Sequence, residues 1–343
     1  MSGEDLLYSR SWRSSIFSAL DQVLPHANYV DKLFLLARFF RAHNRWPRDP
    51  ASPEATFNDL IFSRLVRSDW NSLERFCIDK HYVKFFIGGY CPELRTASTV
   101  DIIRLSRTTA PDVIEAALLA HLGERIVAKP THGSGTILYL RNRPSRDEIH
   151  RFSRIATRSY YRRSRESLYA GLERKIVLEE DLSERDVAPV DYKFFCARGE
   201  LFFCQVDVDR FRCHKRALVT PAFEPIDVRY MHDVPTQPLK RPEKFDDMVR
   251  VAEQLSSPFS FVRVDLYCIR NAVYFGELTF APEGGAGSLS CEAFGAWVMA
   301  GIRQANRQGA PESLAPALLN DLSRVSQRGT WDESCHPIES NFQ

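Results

Sequence analysis

The stretch FVRVDLYCIRNAVYFGELTF, residues 261–280, decides the fold of this chain. Two apolar runs flank Arg270-Asn271, and polar side chains recur at alternate positions within each run, which predicts a β-hairpin. Each strand carries one carboxylate, Asp265 on the first and Glu277 on the second. Carboxylates that face each other inside apolar strands are unfavourable unless a cation neutralises them, so the hairpin predicts a cation-binding site.

The register of the hairpin decides whether the two carboxylates meet. A two-residue turn would pair Asp265 with Gly276 and direct Glu277 to the opposite face. A three-residue loop ending at Ala272, or a bulge with the same effect, sets Asp265 opposite Glu277, and this is the arrangement we predict. Magnesium with a nucleotide triphosphate is a natural cation here, because magnesium binds a few carboxylates together with phosphate oxygens. The alternative is a pair of solvated residues on an amphipathic hairpin.

A glycine-containing turn lies between two shorter apolar runs. RIVAKP, residues 125–130, leads into THGSG at 131–135, and TILYL follows at 136–140. The pattern predicts two short strands around a turn whose backbone N–H groups approach phosphate oxygens, with Lys129 adding a point charge. Neither GxxxxGK[ST] nor GxGxxG occurs, so a plain hairpin turn stays open as the alternative.

Two later strands carry charged residues that suit a nucleotide site. KIVLEEDL, residues 175–182, predicts a buried strand that ends in Glu179 and Glu180, where an acid can bind ribose hydroxyls. The stretch 192–208 predicts a hairpin, and Lys193 interrupts its apolar first strand. The plainer alternatives are an ordinary strand end and a lysine that snorkels to the surface.

Helical periodicity marks the remaining segments. Helices are expected through most of residues 1–95, from the N-cap Ser145 onwards, and near 244–255 and 292–304. In the first segment Ile16, Leu20 and Leu24 recur at helical spacing. Because helices and strands mix without strict alternation, the pattern favours an α+β fold over a doubly wound sheet.

Five arginines recur at helical spacing after Ser145. They are Arg151, Arg154, Arg158, Arg162 and Arg165. A single helix would align them on one face, which suits an anionic acceptor such as a uronic acid polymer or a nucleotide-linked sugar. The alternative is a solvated helix face.

Composition excludes several classes of protein. The 343 residues carry a formal net charge of only +2, so no global field favours nucleic acid or a membrane surface. No apolar run reaches the roughly 18 residues that a membrane-spanning helix needs. Eight cysteines without a CxxC pair, and histidines without metal-ligand spacing, indicate reduced thiols rather than a zinc site or a disulfide framework. We therefore expect a cytoplasmic protein that neither binds nucleic acid nor inserts into membranes.

The order of these segments resembles the TupA-like branch of the ATP-grasp proteins, named for teichuronopeptide biosynthesis. The resemblance rests on DYKFF, FVRVDLY and FGELTF together, reaches back to FNDLIFSRLVRSD and IDKHYV, and covers roughly residues 55–305. It implies an ATP-grasp fold in which two α+β subdomains hold ATP and Mg²⁺ between them. The implied division is a helical region 1–95, a small subdomain 96–175 with a glycine lid, a large subdomain 176–305, and a tail 306–343.

The same resemblance implies roles for individual residues. Nucleotide-binding roles fall to Lys129, His132, Gly133, Ser134, Gly135, Glu179, Glu180 and Lys193. Asp265 and Glu277 would hold magnesium with Thr279, which stands where many ATP-grasp enzymes have asparagine. Arg263 and Lys193 would be the catalytic residues, with Arg263 steadying the transferred group. The loop APEGGAGS, which contains Glu283, is expected to meet substrate.

What the resemblance implies as a reaction is an ATP-dependent ligation. A carboxylate attacks the γ-phosphate to give an acyl phosphate and ADP, and an amine then displaces phosphate to form an amide. Branch relatives suggest attachment of an amino acid or amine to a cell-surface polysaccharide or its precursor, with one substrate anionic and saccharide-linked. A free-standing peptide ligase of small-metabolite biosynthesis is the alternative. From other classes, a glycosyltransferase using the DxD sequence at 207–209 and a nucleotide-binding pseudoenzyme stay open.

Overall fold

Two antiparallel sheets organise the described part of the chain, residues 28–309 without 107, 185–186 and 209–213, in a computed structural model. The first sheet, ordered β1-β4-β2-β3, contains β1 Thr99–Arg104, β2 Ile126–Pro130, β3 Leu138–Tyr139 and β4 Lys175–Glu180. The second, ordered β10-β9-β5-β6-β7-β8, contains β5 Asp191–Ala197, β6 Glu200–Val208, β7 Lys215–Val219, β8 Pro225–Ile226, β9 Val262–Ile269 and β10 Ala272–Thr279. The residues Ile16, Leu20 and Leu24 and the segment 310–343 lie outside the described residues.

Helices flank both sheets. They are α1 Asn28–His43, α2 Phe57–Arg67, α3 Ser72–Cys77, α4 Tyr82–Tyr90, α5 Pro111–Leu119, α6 Arg146–Ala156, α7 Tyr160–Ser164, α8 Phe245–Ser256 and α9 Glu292–Gln308. The α+β fold class predicted from the sequence is confirmed. No helix of the described residues is long and apolar enough to cross a membrane.

Alternation along β5 builds the core of the six-stranded sheet on both faces. Phe194 packs against Phe245 of α8, with ring centroids 5.8 Å apart. Phe195, one residue on, packs against Phe57 of α2 on the other face, also at 5.8 Å. The face that carries Phe195 therefore also carries Lys193, two residues earlier, and this is the face on which the charged residues collect.

The smaller sheet has a separate core beneath α5 and α6. Ile114 and Ile149 of these helices are buried with Ile126, Ile176 and Leu178 of the strands. The strand predicted at 175–182 is β4, and it pairs with both β1 and β2. The strand predicted at 136–140 is shorter than expected, since β3 contains only Leu138 and Tyr139 before a 3₁₀ turn begins.

The long arginine-rich helix predicted after Ser145 is wrong in its length. Ser145 caps α6 as predicted, its side chain accepting from the backbone N–H of Glu148. The helix ends at Ala156, and Ser159 caps the separate short helix α7. Arg165 then adopts a left-handed φ of 58° and is buried against Asp31, with 2.7 Å between Nη1 and Oδ1. Arg151, Arg154, Arg158 and Arg162 are exposed, so the five arginines do not share one helix face.

Candidate active site

The β9–β10 hairpin sets Asp265 opposite Glu277, but through a bulge rather than a longer loop. Ala272 pairs with Ile269, so the turn has only two residues, with left-handed φ values of 47° and 58°. The three-residue loop predicted from the sequence is therefore wrong. The alternative of a bulge is correct, because the register shifts at Gly276 and brings Glu277 onto the face of Asp265.

Glycine at position 276 is a steric requirement of this bulge. A Cβ atom there would lie 2.9 Å from the backbone oxygen of Asp265 and 3.0 Å from the ring of Tyr267. Any other residue would push the two strands apart. The bulge, and with it the meeting of the two carboxylates, depends on Gly276.

A row of polar residues crosses the centre of the sheet. The strand pairings align Glu277 with Asp265, Asp265 with Lys193, and Lys193 with Gln205. Lys193 Nζ lies 3.1 Å from Asp265 Oδ2 and 3.2 Å from Asp191 Oδ2, and all three residues are buried. Lys193 therefore does not snorkel, and its ammonium neutralises the carboxylates of its own face.

Arg263 lies beside this row and contacts two of the predicted metal ligands. Its Nε and Nη2 donate to the two oxygens of Asp265 at 2.7 and 2.8 Å, and Nη2 also donates to Thr279 Oγ1 at 3.1 Å. Burial acts to lower the pKa of Arg263, but the charges of Asp265, Glu283 and Glu277 outweigh it and raise the pKa. The guanidinium stays charged within a group of carboxylates.

Lys80 links the glycine-containing turn to Glu277, one of the predicted metal ligands. Its Nζ donates to the carbonyl oxygen of Gly133 at 2.5 Å and to Glu277 Oε1 at 3.0 Å. Burial acts to raise the pKa of Glu277, but Lys80 overrides it, so the carboxyl is ionised more readily than usual. The two halves of the predicted nucleotide site thus lie together.

The glycine turn is anchored at its start and open at its tip. Thr131 is buried and donates to Asp79 Oδ2 at 2.9 Å. The ring of buried His132 contacts the backbone oxygen of Arg158 through Nε2 at 3.2 Å, and burial lowers the pKa of the ring. Ser134 is half-buried, whereas Gly135 is exposed and has a left-handed φ of 74°. These contacts give a firm base and an exposed tip.

Lys129 is paired with Glu179, which also binds a second lysine. Glu179 lies beside Lys129 Nζ and 2.8 Å from Lys84 Nζ of α4. Burial acts to raise the pKa of Glu179, but the two lysines override it. Glu180 ends the strand with an exposed side chain, while its backbone N–H donates to Ser98. The two glutamates are thus in different environments, and only Glu179 is tied to the lysines.

The residues present fit both magnesium and a nucleotide triphosphate. Two carboxylates and a hydroxyl, from Asp265, Glu277 and Thr279, share one face and are hard oxygen ligands of the kind magnesium prefers. Lys80 and Lys129 are partly exposed, so their ammonium groups are accessible to phosphate oxygens. His132 Nδ1 is a buried polar atom without a hydrogen-bond partner among the described residues, at the base of the glycine turn.

A second row of charged residues crosses the same face of the sheet, two positions before Lys193 on β5. Asp191, Asp207 and Arg216 are aligned by the strand pairings. Arg216 binds Asp207 through Nε at 2.6 Å and Nη2 at 3.1 Å, and its Nη1 lies 3.5 Å from Glu283 Oε1. The row therefore leads from the sheet to the Pro282–Gly285 turn, the segment predicted to meet substrate.

Helix α1 holds this turn in place. Arg38 donates to the backbone oxygens of Gly284 at 2.5 Å and Glu283 at 3.3 Å. The Nε2 atom of His43 lies 2.9 Å from the backbone oxygen of Gly285. Three consecutive residues of the turn, Glu283 to Gly285, have positive φ values of 51°, 56° and 74°. Glu283 is thus kept in a conformation that costs on the order of 1 kcal/mol for a residue other than glycine.

Sequence reasoning assigned no role to Lys80, Lys84 or Arg216. Lys84 is the only charged residue within α4, and Lys80 precedes that helix in the quoted motif IDKHYV, so both carried a usable signal. Arg216 stands in KRALV without a pattern that separates it from surface arginines. Its position became apparent only from the strand pairing with Asp207.

A further polar cluster lies away from this site. Asp112, Glu115 and His150, on α5 and α6, have ligand atoms within 4.8 Å of one another. Glu115 already binds Arg146, whose Nε lies 3.0 Å from its Oε1. A cationic side chain thus occupies part of this surface cluster.

Known proteins resemble the chain as follows. The profile of the family described as TupA-like ATPgrasp matches residues 65–299. Among solved structures, the D-alanine–D-alanine ligase from Bacillus anthracis has 14% identity and a TM-score of 0.38, over 74% of this chain and 70% of that one. The ATP-grasp ligase PsnB, complexed with minimal precursor, Mg and ADP, has 12% identity and a TM-score of 0.35, over 69% and 61%. Structural scores this low support no conclusion about function. No curated protein matches the chain.

Proposed function

Since the chain belongs to the TupA-like ATP-grasp family, we propose that it is an ATP-dependent ligase that joins a carboxylate to an amine through an acyl phosphate. One observation supports this above all others. Lys80 bridges the glycine turn and Glu277, beside the aligned Asp265 and Lys193. Phosphate-binding and metal-binding residue types are thereby assembled in one place.

The proposed chemistry relies mainly on position and charge, as phosphoryl transfer generally does. Lys129 and Lys193 would contact the phosphates, the turn 131–135 would cover them, and Glu179 and Glu180 would serve the adenosine end. Asp265, Glu277 and Thr279 would hold magnesium, which when bound neutralises charge on the phosphate oxygens. Arg263 would bind the transferred group, because its guanidinium is held charged beside this row.

For the substrates we propose an amino acid or amine and a carboxylate carried by a cell-surface polysaccharide or its precursor. The four exposed arginines between 151 and 162 offer an anionic acceptor a positively charged surface. A small-metabolite amide ligase is the second candidate and needs no such surface. In either case the reaction consumes ATP, which favours the cytoplasm, and the proposed two-subdomain division follows the family pattern.

Ligand-dependent thermal unfolding tests the nucleotide site. Wild-type protein is heated with Mg²⁺ and a non-hydrolysable ATP analogue, with the analogue alone, and with Mg²⁺ and UDP-sugars. A ligand at about a hundred times its dissociation constant adds about 2.7 kcal/mol, which raises the Tm by several degrees. We expect a rise with the adenine nucleotide that requires magnesium, followed by ADP release when carboxylates and amines are supplied.

A matched pair of variants locates the effect. Lys193→Met should abolish the nucleotide-dependent rise, whereas Lys215→Met, on strand β7 of the same sheet, should keep it. A rise only with UDP-sugars would contradict the ligase proposal and favour the glycosyltransferase. A magnesium-dependent rise without ADP release from any substrate pair would favour the pseudoenzyme.

A further inference from the structure

Glu166 is a buried carboxylate whose cationic partner is distant. It follows α7 and is 7% exposed. Its ion pair with Arg38 measures 3.8 Å between Oε1 and Nη1. Arg38 directs its hydrogen bonds elsewhere, to the backbone oxygens of Ser164, Glu283 and Gly284.

Glu283 is the second carboxylate of this region, and the two are linked through Arg38. The guanidinium that pairs with Glu166 also donates to the backbone oxygen of Glu283. Glu283 Oε1 lies 3.5 Å from Arg216 Nη1, and Arg216 is already bound at two points to Asp207. Both carboxylates therefore lie near cations whose best hydrogen bonds go to other groups.

The other buried carboxylates of the described residues have closer cationic partners than Glu166 has. Nitrogen atoms of cationic side chains lie 2.7 Å from Asp59, 2.6 Å from Asp207 and 2.7 Å from Asp265. Burial raises the pKa of Glu166 to about 7, and the charge of Glu283 adds to it while Arg38 opposes it. Buried Glu166 thus lacks a close cationic partner, and exposed Glu283 adds a second negative charge beside it.

This region adjoins the reaction site. Tyr160 donates a hydrogen bond to Glu166, and its ring would lie 3.3 Å from a Cβ placed on Gly133 of the glycine turn. Burial is the main cause of the raised pKa of Tyr169, and the charges of Glu166 and Glu277 both add to it. Burial opposes the rise in the pKa of Arg263, and the charge of Glu283 contributes to that rise after the charge of Asp265. Tyr160 thus links Glu166 to the glycine turn, and Arg216 links Glu283 to the charged rows of the sheet.

We propose that Glu166 and Glu283 bind the attacking amine in its ammonium form and that Glu166 removes its first proton. The inference rests on the proposed ligase function and assigns the amine substrate to a class, a primary amine that is protonated at neutral pH. Only a cation of this kind supplies the missing positive charge and also carries the proton that must leave before nitrogen becomes a nucleophile.

The protons and bonds of the step balance as follows. The ammonium group gives one proton to the carboxylate of Glu166, which leaves a neutral amine. The amine nitrogen forms a bond to the carbonyl carbon of the acyl phosphate, and the bond from that carbon to the phosphate oxygen breaks. The second nitrogen-bound proton departs with the phosphate, so an amide and hydrogen phosphate result, and Glu166 releases its proton to water.

Hydroxylamine separates this step from carboxylate activation, because it is largely uncharged at pH 8 and traps acyl phosphates without prior deprotonation. Wild type is assayed with Mg-ATP, hydroxylamine and a panel of uronic acids and standard amino acids, and hydroxamate is measured. The most active carboxylate is then assayed for ADP release with primary amines, including the standard amino acids. Glu166→Gln, Glu283→Gln and the matched control Glu200→Gln, at an exposed position on β6, are compared.

We expect Glu166→Gln to form hydroxamate at the wild-type rate and to lose amine-dependent ADP release by on the order of 10²-fold. Glu283→Gln should mainly raise the KM for the amine, and Glu200→Gln should match wild type. Equal loss of both reactions in Glu166→Gln, or retention of amine turnover, would overturn this inference and leave the ligase function intact. If wild type forms neither hydroxamate nor amide, the ligase function fails, and the inference fails with it.

Discussion

Asp265 and Glu166 are both buried carboxylates of one candidate site, yet their surroundings differ. Asp265 accepts from Arg263 at 2.7 and 2.8 Å and from Lys193 at 3.1 Å. Glu166 has an ion pair of 3.8 Å with Arg38. A buried charge is costly unless it is paired at close range, and the charge of Asp265 is paired in this way whereas that of Glu166 is not. We infer that Asp265 organises the site and that Glu166 gains its close cationic partner only when the ammonium group of the substrate binds.

The largest effect is expected for Asp265→Asn. The change leaves Arg263 and Lys193 without the carboxylate that neutralises them, and breaking a buried ion pair costs about 3–5 kcal/mol. We therefore expect a clear loss of stability in urea unfolding, together with loss of magnesium-dependent ADP release. Asp233→Asn, at an exposed ion pair, is the control and should change neither quantity. Wild-type ADP release by Asp265→Asn would remove this residue from the metal site.

Glu166→Gln should change stability in the opposite direction and stabilise the protein at neutral to alkaline pH. Since the pKa of Glu166 is raised from 4.5 to about 7, the folded state binds its proton more tightly than the unfolded chain does. The resulting stabilisation is complete below pH 4.5 and is lost as the pH rises through about 7. At pH 8 the variant should therefore be more stable than wild type, by on the order of 3 kcal/mol at most. Urea unfolding at pH 5 and pH 8 measures this difference. Equal stability of the two proteins at pH 8 would contradict the inference that Glu166, unlike Asp265, is a poorly compensated buried carboxylate.

Gly276→Ala tests the geometry that brings Asp265 to Glu277. Its Cβ would meet the backbone oxygen of Asp265 at 2.9 Å, and overpacking of this kind costs about 1–3 kcal/mol. The matched control is Gly88→Ala in α4, where nothing lies within 4 Å of the added atom. We expect the control to be neutral or stabilising, since alanine favours helix. A Gly276→Ala protein as stable as wild type would show that the bulge tolerates a side chain.

The smallest effect is expected for Gly135→Ala at the exposed tip of the glycine turn. Its φ of 74° favours glycine, although the space around it is open. We expect the affinity for the ATP analogue to fall by about 1 kcal/mol, roughly fivefold, because alanine disfavours this conformation. Titration by isothermal calorimetry measures it, with the amine affinity as the internal reference. Unchanged ATP affinity would mean that the tip does not cover the nucleotide.

The hairpin of β9 and β10 shows how far the sequence could predict the structure. Alternation placed Asp265 and Glu277 on their strands, and the family match confirms the ATP-grasp fold expected from these motifs. Of the two arrangements that the sequence predicted, the longer loop is wrong and the bulge is correct. A lone glycine inside a strand pattern is a recognised sign of a bulge, so Gly276 held the missing information.

Contacts between segments far apart in the chain could not be predicted in the same way. Lys80 lies 197 residues from Glu277, and Arg38 lies 246 from Gly284. No local periodicity relates such residues, because their meeting depends on how helices pack against the sheets. Glu166 is the extreme case, since its significance depends on the length of an ion pair, and a sequence carries no such distance.

The attachment of α1 to the Pro282–Gly285 turn has a consequence for how this protein can be divided. The family match begins at residue 65, which would suggest residue 65 as the start of a minimal ligase. Arg38 and His43 lie before that boundary, yet they hold the backbone of the turn that carries Glu283. A chain trimmed to the matched segment would keep Asp265 and Glu277, the proposed metal ligands, but would lose the helix that supports the turn of the proposed amine site.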